Sequence, residues 1–310
     1  MNPLTLNLRP TNVPGKCVRV TRRQFSFRLL LVMVVLMLQA TLGKPTVATA
    51  QVRYAPADKL ADLANQEIIE SSGVARSIRR PGLLWTHNDS GGAARLYLFD
   101  VAGRDLGVCD LKNLTPVDWE DMGAFATERA AYLFVADVGD NQHRRTEYRI
   151  DLIKEPDQVP CEVETRSITF RYPDGAHDCE SVSFDPVLRE FILVEKRLGF
   201  TCRVYRLPFP EGARPPLVTA EQIAEVPIPL ATGSDISPDG RNLIVATYGP
   251  AYFYRRNEHE PWSTALKRKP ELVALPPRAQ GEAICFGDDG RTLYATSEKA
   301  PAPLWIIRPQ

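Results

Sequence analysis

Glu282-Ala283-Ile284-Cys285-Phe286-Gly287-Asp288-Asp289-Gly290 stands 50 residues after Thr232-Gly233-Ser234-Asp235-Ile236-Ser237-Pro238-Asp239-Gly240 and repeats its pattern. Each segment reaches a tight turn, Asp-Asp-Gly or Pro-Asp-Gly. Each turn then feeds an apolar run, Leu293-Tyr294-Ala295-Thr296 or Leu243-Ile244-Val245-Ala246-Thr247. Runs of this length, rich in β-branched and aromatic residues and bounded by Gly, Pro, Asp or Asn, read as strands. Upstream, similar groups begin at Glu180-Ser181-Val182, Glu120-Asp121-Met122 and Glu70-Ser71-Ser72-Gly73. The five group starts, at 70, 120, 180, 232 and 282, are spaced by 50, 60, 52 and 50 residues.

A period near 50 with strand, tight turn and further strands is the pattern of a β-propeller. One such unit cannot bury both faces alone, so neighbours must stack in a ring. The fold expected is all-β, a propeller of about five blades, with six as the alternative and a β-sandwich as the structural runner-up. Little chain follows Glu282. Residues 51–69 are therefore expected to complete the last blade, although Pro56 to Ala64 also reads as a short helix.

The first 50 residues differ from the rest. They hold seven basic residues (Arg9, Lys16, Arg19, Arg22, Arg23, Arg28, Lys44) and no Asp or Glu. An apolar run, Leu29 to Leu38, and the small residues Ala48-Thr49-Ala50 follow. Basic region, short apolar region and A-x-A site read as a secretory signal. A membrane anchor is the weaker reading, because a span needs about 20 apolar residues. Thr21-Arg22-Arg23-Gln24-Phe25 fits either a twin-arginine signal or an ordinary basic region. Residues 51–310 are then one exported domain, periplasmic or extracellular, with no membrane insertion after signal removal. The whole chain balances 38 basic against 38 acidic side chains. Without the segment, 31 basic side chains face 38 acidic ones, a net of −7. That argues against a nucleic-acid partner, which demands a positive face.

Five cysteines remain (Cys109, Cys161, Cys179, Cys202, Cys285), an odd number that cannot pair completely. No spacing suggests zinc. One disulfide is expected in an oxidising compartment, with Cys161–Cys179 as a guess.

In a propeller the first strand of each blade lines the central channel, so equivalent side chains converge there. Glu70, Glu120, Glu180 and Glu282 open four groups, and Asp235 lies near the start of the other. Carboxylates about 6–8 Å apart repel by roughly 2–3 kcal/mol per pair at an effective dielectric near 20. Protonation, basic partners or a bound cation must relieve this. Oxygen ligands favour Ca²⁺. Asn88, Asp89, Asp121, Asp140 and Asn141, in turn sequences at blade edges, are secondary candidates. The competing reading is that each Glu bonds backbone N–H groups of the next blade and only fixes the ring.

Several pieces resemble a family of exported bacterial propeller proteins related to the esterase-like phytase group. They are Glu70-Ser-Ser-Gly73, Trp85-Thr-His-Asn-Asp-Ser-Gly-Gly92, Asp118-Trp-Glu-Asp121, Asp137-Val-Gly-Asp-Asn141 with Arg145, Glu155-Pro156, Tyr172-Pro-Asp-Gly175 with Asp178 and Glu180, Asp235-Ile-Ser-Pro-Asp-Gly240 and Gln280-Gly-Glu282. The resemblance implies a propeller and hints at phosphoester hydrolysis. A weaker similarity to gluconolactonase-like propellers implies one divalent cation in the channel, with Glu70, Asn88, Asn141 and Asp235 as ligands. Two functions follow. One is a binding or scaffold module with a bound cation. The alternative is a metal-dependent hydrolase of phosphoesters or lactones, with His177 or Asp178 as base and Arg145 and Lys196 holding an anionic group.

Overall fold

The computed structural model describes residues 53–310 except 90, 211 and 213–215. The expected signal, 1–50, lies outside the described residues. Nearly all regular structure is β. One four-residue helix, α1 (Trp262–Ala265), interrupts it among the described residues, and no helix there is long and apolar enough to cross a membrane.

The strands form successive antiparallel meanders. The first is β2 (Ser71–Arg76), β3 (Leu83–Asn88), β4 (Arg95–Asp100) and β5 (Asp105–Lys112). The second is β6 (Trp119–Ala126), β7 (Ala131–Asp137), β8 (Tyr148–Lys154) and β9 (Cys161–Arg171). The third is β10 (Cys179–Asp185), β11 (Glu190–Glu195), β12 (Cys202–Pro208) and β14 (Glu221–Val226), with β13 (Val218–Thr219) set aside to pair with β9. The fourth is β15 (Ala231–Ile236), β16 (Asn242–Thr247), β17 (Ala251–Arg255) and β18 (Glu271–Val273). The last is β19 (Ile284–Phe286), β20 (Leu293–Ala295) and β21 (Pro303–Ile307), completed by β1 (Asp58–Asp62) from the other end of the chain.

The first strands touch in a closed circuit, β2 to β6 to β10 to β15 to β19 and back to β2. That circuit is a propeller arrangement and not two stacked sheets. The fall in burial from inner to outer strands follows from it. All seven residues of β10 are buried, because neighbours cover both faces, whereas the outer strand β14 is largely open to solvent. Apolar clusters fill the spaces between meanders; one joins Phe125, Phe134 and Ile150 to Phe184, Phe191 and Leu207. Both Asp-Gly turns form as expected. Gly240 and Gly290 adopt φ of 69° and 64°, which favour glycine. Asp239 and Asp289 cap these turns by accepting the N–H groups of Arg241 and Arg291.

Three expectations need correction. Residues 58–62 form β1, paired antiparallel with β21, and not a helix, because the last sheet lacks a fourth strand without them. The disulfide joins Cys109 to Cys161, whose Cα atoms lie 4.6 Å apart, and not Cys161 to Cys179. Those two residues face each other where β5 runs parallel to β9, while Cys179 is buried and reduced on the channel-lining β10. The first group is also two residues out of register. The β2, β6, β10 and β15 strands each carry a bulge, and the residues it sets off are Ser72, Glu120, Glu180 and Thr232. Ser72, not Glu70, is therefore the counterpart of Glu120.

Candidate metal centre at the channel mouth

A β-bulge re-aims a side chain out of the regular alternation. Repeated at one end of four of the five channel strands, it gathers Ser72, Glu120, Glu180 and Thr232 at the channel mouth, with Glu282 just before β19. Glu120, Glu180 and Glu282 are all at least 95% buried. The Ser72 hydroxyl donates to the Glu120 carbonyl at 2.8 Å and to Glu282 Oε2 at 3.3 Å. Thr232 donates to the Gly281 carbonyl at 3.0 Å.

Loops at the same end bring further charge. Asp118 and Asp178 stand two residues before Glu120 and Glu180, so neighbouring meanders present the same Asp-x-Glu pair. Ligand atoms of Glu120, Asp178 and Glu180 all lie within 4.8 Å of one another. Those of Asp89, Asp118 and Glu120 do likewise, so Glu120 is common to both groups. Gly139 makes room for this. A Cβ there would stand 2.1 Å from Glu120 Oε1 and 2.5 Å from Asp118 Oδ2, so a larger residue would displace these two carboxylates.

Among the described residues Lys196 forms an ion pair with this group, and the Arg278 guanidinium interacts electrostatically with Glu282. Lys196 Nζ pairs with Glu180 Oε1 and donates to Tyr248 Oη at 3.1 Å. Tyr248 in turn donates to Glu282 Oε1 at 2.9 Å. Glu180 Oε2 is buried without a hydrogen-bond partner among the described residues. Burial pushes Glu180 up to about 8 although Lys196 pulls it down. Burial, and then the charges of Glu180, Asp89, Asp118 and Asp178, hold Glu120 well above the usual carboxylate range. Burial and the adjacent Glu282 push Glu298 up to about 9. Buried carboxylates held above their usual range in this way take up either protons or a cation. The donors are oxygens only, with an orphaned carboxylate oxygen among them, and Glu120, Asp178 and Glu180 could hold a divalent ion.

The structure brings together only part of the expected ligand set. Glu120, Glu180 and the secondary candidate Asp89 belong to the cluster, and Asp178 joins them as a carboxylate. Glu282 lies on the Lys196–Tyr248 chain, and Glu70 sits at the margin, bridged to Glu298 through its backbone. Asp121 is fully buried, and burial is the largest influence raising its pKa. Its carboxylate accepts three backbone N–H groups, from Met122, Val182 and Ser234, at 2.8–3.0 Å. Asp235 accepts Ile236 and Phe286 N–H, both at 2.8 Å. These two aspartates link channel strands, a part that the competing reading gave to the Glu residues. Asn88 is taken up by the N–H groups of Ile69 and Glu70, and Asp140 by those of Arg144 and Arg145 and by Tyr148 Oη. Asn141 is exposed.

Among the candidate catalytic groups, Lys196 reaches the mouth. His177 is locked: Nδ1 lies 2.9 Å from Glu195 Oε1 and Nε2 2.8 Å from Asp174 Oδ1. Burial opposes its charged form, but the two carboxylates outweigh it and raise its pKa. Arg145 is bound to the carbonyls of Gly139 and Asp137 and to the Asp137 carboxylate. Asp118 and Gly139 lie in stretches quoted above, but neither was among the expected ligands. The Asp-x-Glu repeat at 118–120 and 178–180, 60 residues apart, was the available signal for Asp118.

No family model matches the chain, and no curated protein sequence matches it. Among solved structures it is similar to the PQQ-bound form of aldose sugar dehydrogenase from Streptomyces coelicolor, at 9% identity and a TM-score of 0.48, over 84% of this chain and 99% of that one.

Proposed function

We propose that the chain is an exported, five-bladed β-propeller that binds one Ca²⁺ at its channel mouth and serves as a binding or scaffold module. The observation that carries this reading is the convergence of two Asp-x-Glu pairs from adjacent meanders, with a buried Glu180 oxygen left over. Five four-stranded meanders support the blade count. Glu120, Asp178 and Glu180 hold the ion from the channel side, and Asp89 and Asp118 flank Glu120. Hard oxygen donors of this number and charge suit Ca²⁺ better than a transition metal. The proposal also keeps the chain beside the exported propellers related to the esterase-like phytase group. Hydrolysis of phosphoesters or lactones has less support, because both His177 nitrogens are engaged and Arg145 is bound to its own loop.

The test is a Ca²⁺ titration of EDTA-dialysed protein, read by calorimetry and by thermal melting. A ligand at about 100 times its Kd stabilises by about 2.7 kcal/mol, which raises the Tm by several degrees. Glu120→Gln abolishes that rise and itself raises the Tm of the metal-free protein, since it removes the most crowded charge. An unmoved wild-type Tm, or unchanged Ca²⁺ affinity in Glu120→Gln, overturns the proposal.

A further inference from the structure

The opposite end of β6 carries a site of opposite sign. β6 runs from Trp119, beside the carboxylates, to Ala126, and eight residues of strand span about 25 Å. Beyond Ala126, between the second and third meanders, lies a cleft of 720 Å³. Arg129, Lys154, Arg166 and Arg189 line it. None of the four forms a salt bridge among the described residues. The mature part carries a net charge of −7, so unanswered cations gathered in one cleft run against its overall balance. Two acids, Glu128 and Glu164, also line the cleft, and Glu164 accepts the Asn113 side-chain N–H at 2.8 Å.

Strand register explains the convergence. Lys154 on β8 stands opposite Tyr132 on β7, and Arg166 on β9 stands opposite Leu152 on β8. Leu152 and Lys154 are two residues apart, so all four side chains share one face of the sheet. Arg166 Nε is buried with no hydrogen-bond partner among the described residues, while its Nη2 reaches the Pro210 carbonyl at 3.5 Å. The floor is aromatic. Tyr132 stacks on Phe125, with ring centroids 5.4 Å apart, and Phe209 packs against Phe125, Phe184 and Phe191. The Arg189 guanidinium lies 5.7 Å from the Phe209 ring centre. Tyr132 and Phe209 are only part-buried and present ring surface to the cleft.

We propose that this cleft binds a small organic anion with an aromatic body. The flat part rests on Tyr132 and Phe209, and the phosphate, sulfate or carboxylate group is held by Lys154 and Arg166. The volume suits a compact ligand, and guanidinium groups favour planar or tetrahedral oxyanions. This site does not depend on the cation centre.

The experiment titrates EDTA-dialysed, full-length protein with phenyl phosphate, inorganic phosphate and phenol by calorimetry. Phenyl phosphate saturates one site and binds at least tenfold more tightly than either fragment. Lys154→Gln and Arg166→Gln each weaken it at least fivefold, Tyr132→Ala weakens it while sparing inorganic phosphate, and Glu120→Gln leaves it unchanged. Lys154 is exposed, so its substitution leaves the fold intact, and thermal melting confirms this. Absence of saturable phenyl phosphate binding, equal affinity for inorganic phosphate, or unchanged affinity in both cation variants overturns the proposal.

Discussion

Asp121 and Glu120 are consecutive residues with opposite roles. The Asp121 carboxylate is enclosed by backbone N–H groups from its own strand, from Val182 on β10 and from Ser234 on β15, so it ties three channel strands together. Glu120 receives no such support and meets other carboxylates instead. Asp121→Asn places an amide N–H against backbone N–H groups. It is expected to destabilise the fold by roughly 2–4 kcal/mol in urea unfolding while Ca²⁺ affinity of the folded protein stays the same. A matching loss of Ca²⁺ binding would show that Asp121 is a ligand. The sequence could not separate these two acids, because both precede the same apolar run. The bulge decides which one points into the mouth, and it shows only once both partner strands are known. The same blindness to bulges made Glu70, and not Ser72, look like the counterpart of Glu120.

At the level of strands and turns, more was legible. Strand runs such as Leu243 to Thr247 and the Asp-Gly turns at 239–240 and 289–290 appear where local chemistry puts them. Glu155 has a structural task in linking the first two meanders: its carboxylate accepts the Ile78 and Arg79 N–H groups and Trp85 Nε1 at 3.1–3.2 Å. The parallel pairing of β5 with β9 was not legible, since nothing local in Leu111 or Val163 distinguishes one outer-strand neighbour from another. The disulfide follows from that pairing. It closes a separation of 52 residues, and chain entropy alone assigns such a loop about 4 kcal/mol. Cys109→Ser with Cys161→Ser is expected to lower unfolding free energy by up to that amount, and reductant is expected to have the same effect on wild type. Peptide mapping without reductant should recover Cys109 joined to Cys161; recovery of Cys179 in a disulfide would contradict this pairing.

Over the whole molecule, closure depends on β1. Asp58 to Asp62 pair with Pro303 to Ile306 and supply the outer strand of the last sheet. Deleting residues 53–62 exposes the β21 edge and uncovers Leu304, buried in the cluster with Leu63 and Ile68. The expected result is a large fall in Tm together with concentration-dependent aggregation, measured by melting and light scattering. An unchanged Tm would mean that β1 is dispensable. A ring of repeats was legible from the spacing of the five groups, and so was the need for a strand from residues 51–69. The cationic cleft was not, because its residues come from separate strands and turns between 127 and 212.

Strand β9 makes the circle mechanically uneven. It hydrogen-bonds to β5 through Cys161 to Glu164, to β8 through Thr165 to Phe170, and to β13 through Phe170 and Arg171. One continuous backbone girder therefore braces the first three sectors. The two seams of the fourth sector carry side-chain links, such as Arg256 on Asp185 and Asp235 on the Phe286 N–H, while the seam between the last and first sectors carries backbone bonds from Lys299 N–H to the Ile69 carbonyl and from Ala64 N–H to the Gly103 carbonyl. Both Asp-x-Glu pairs sit in the braced arc, while Tyr248 sits in the fourth sector, whose two seams are the side-chain-linked ones. Opening of those seams would thus move the tyrosine relay relative to a fixed pair of acidic jaws, leaving the jaws' own spacing unchanged.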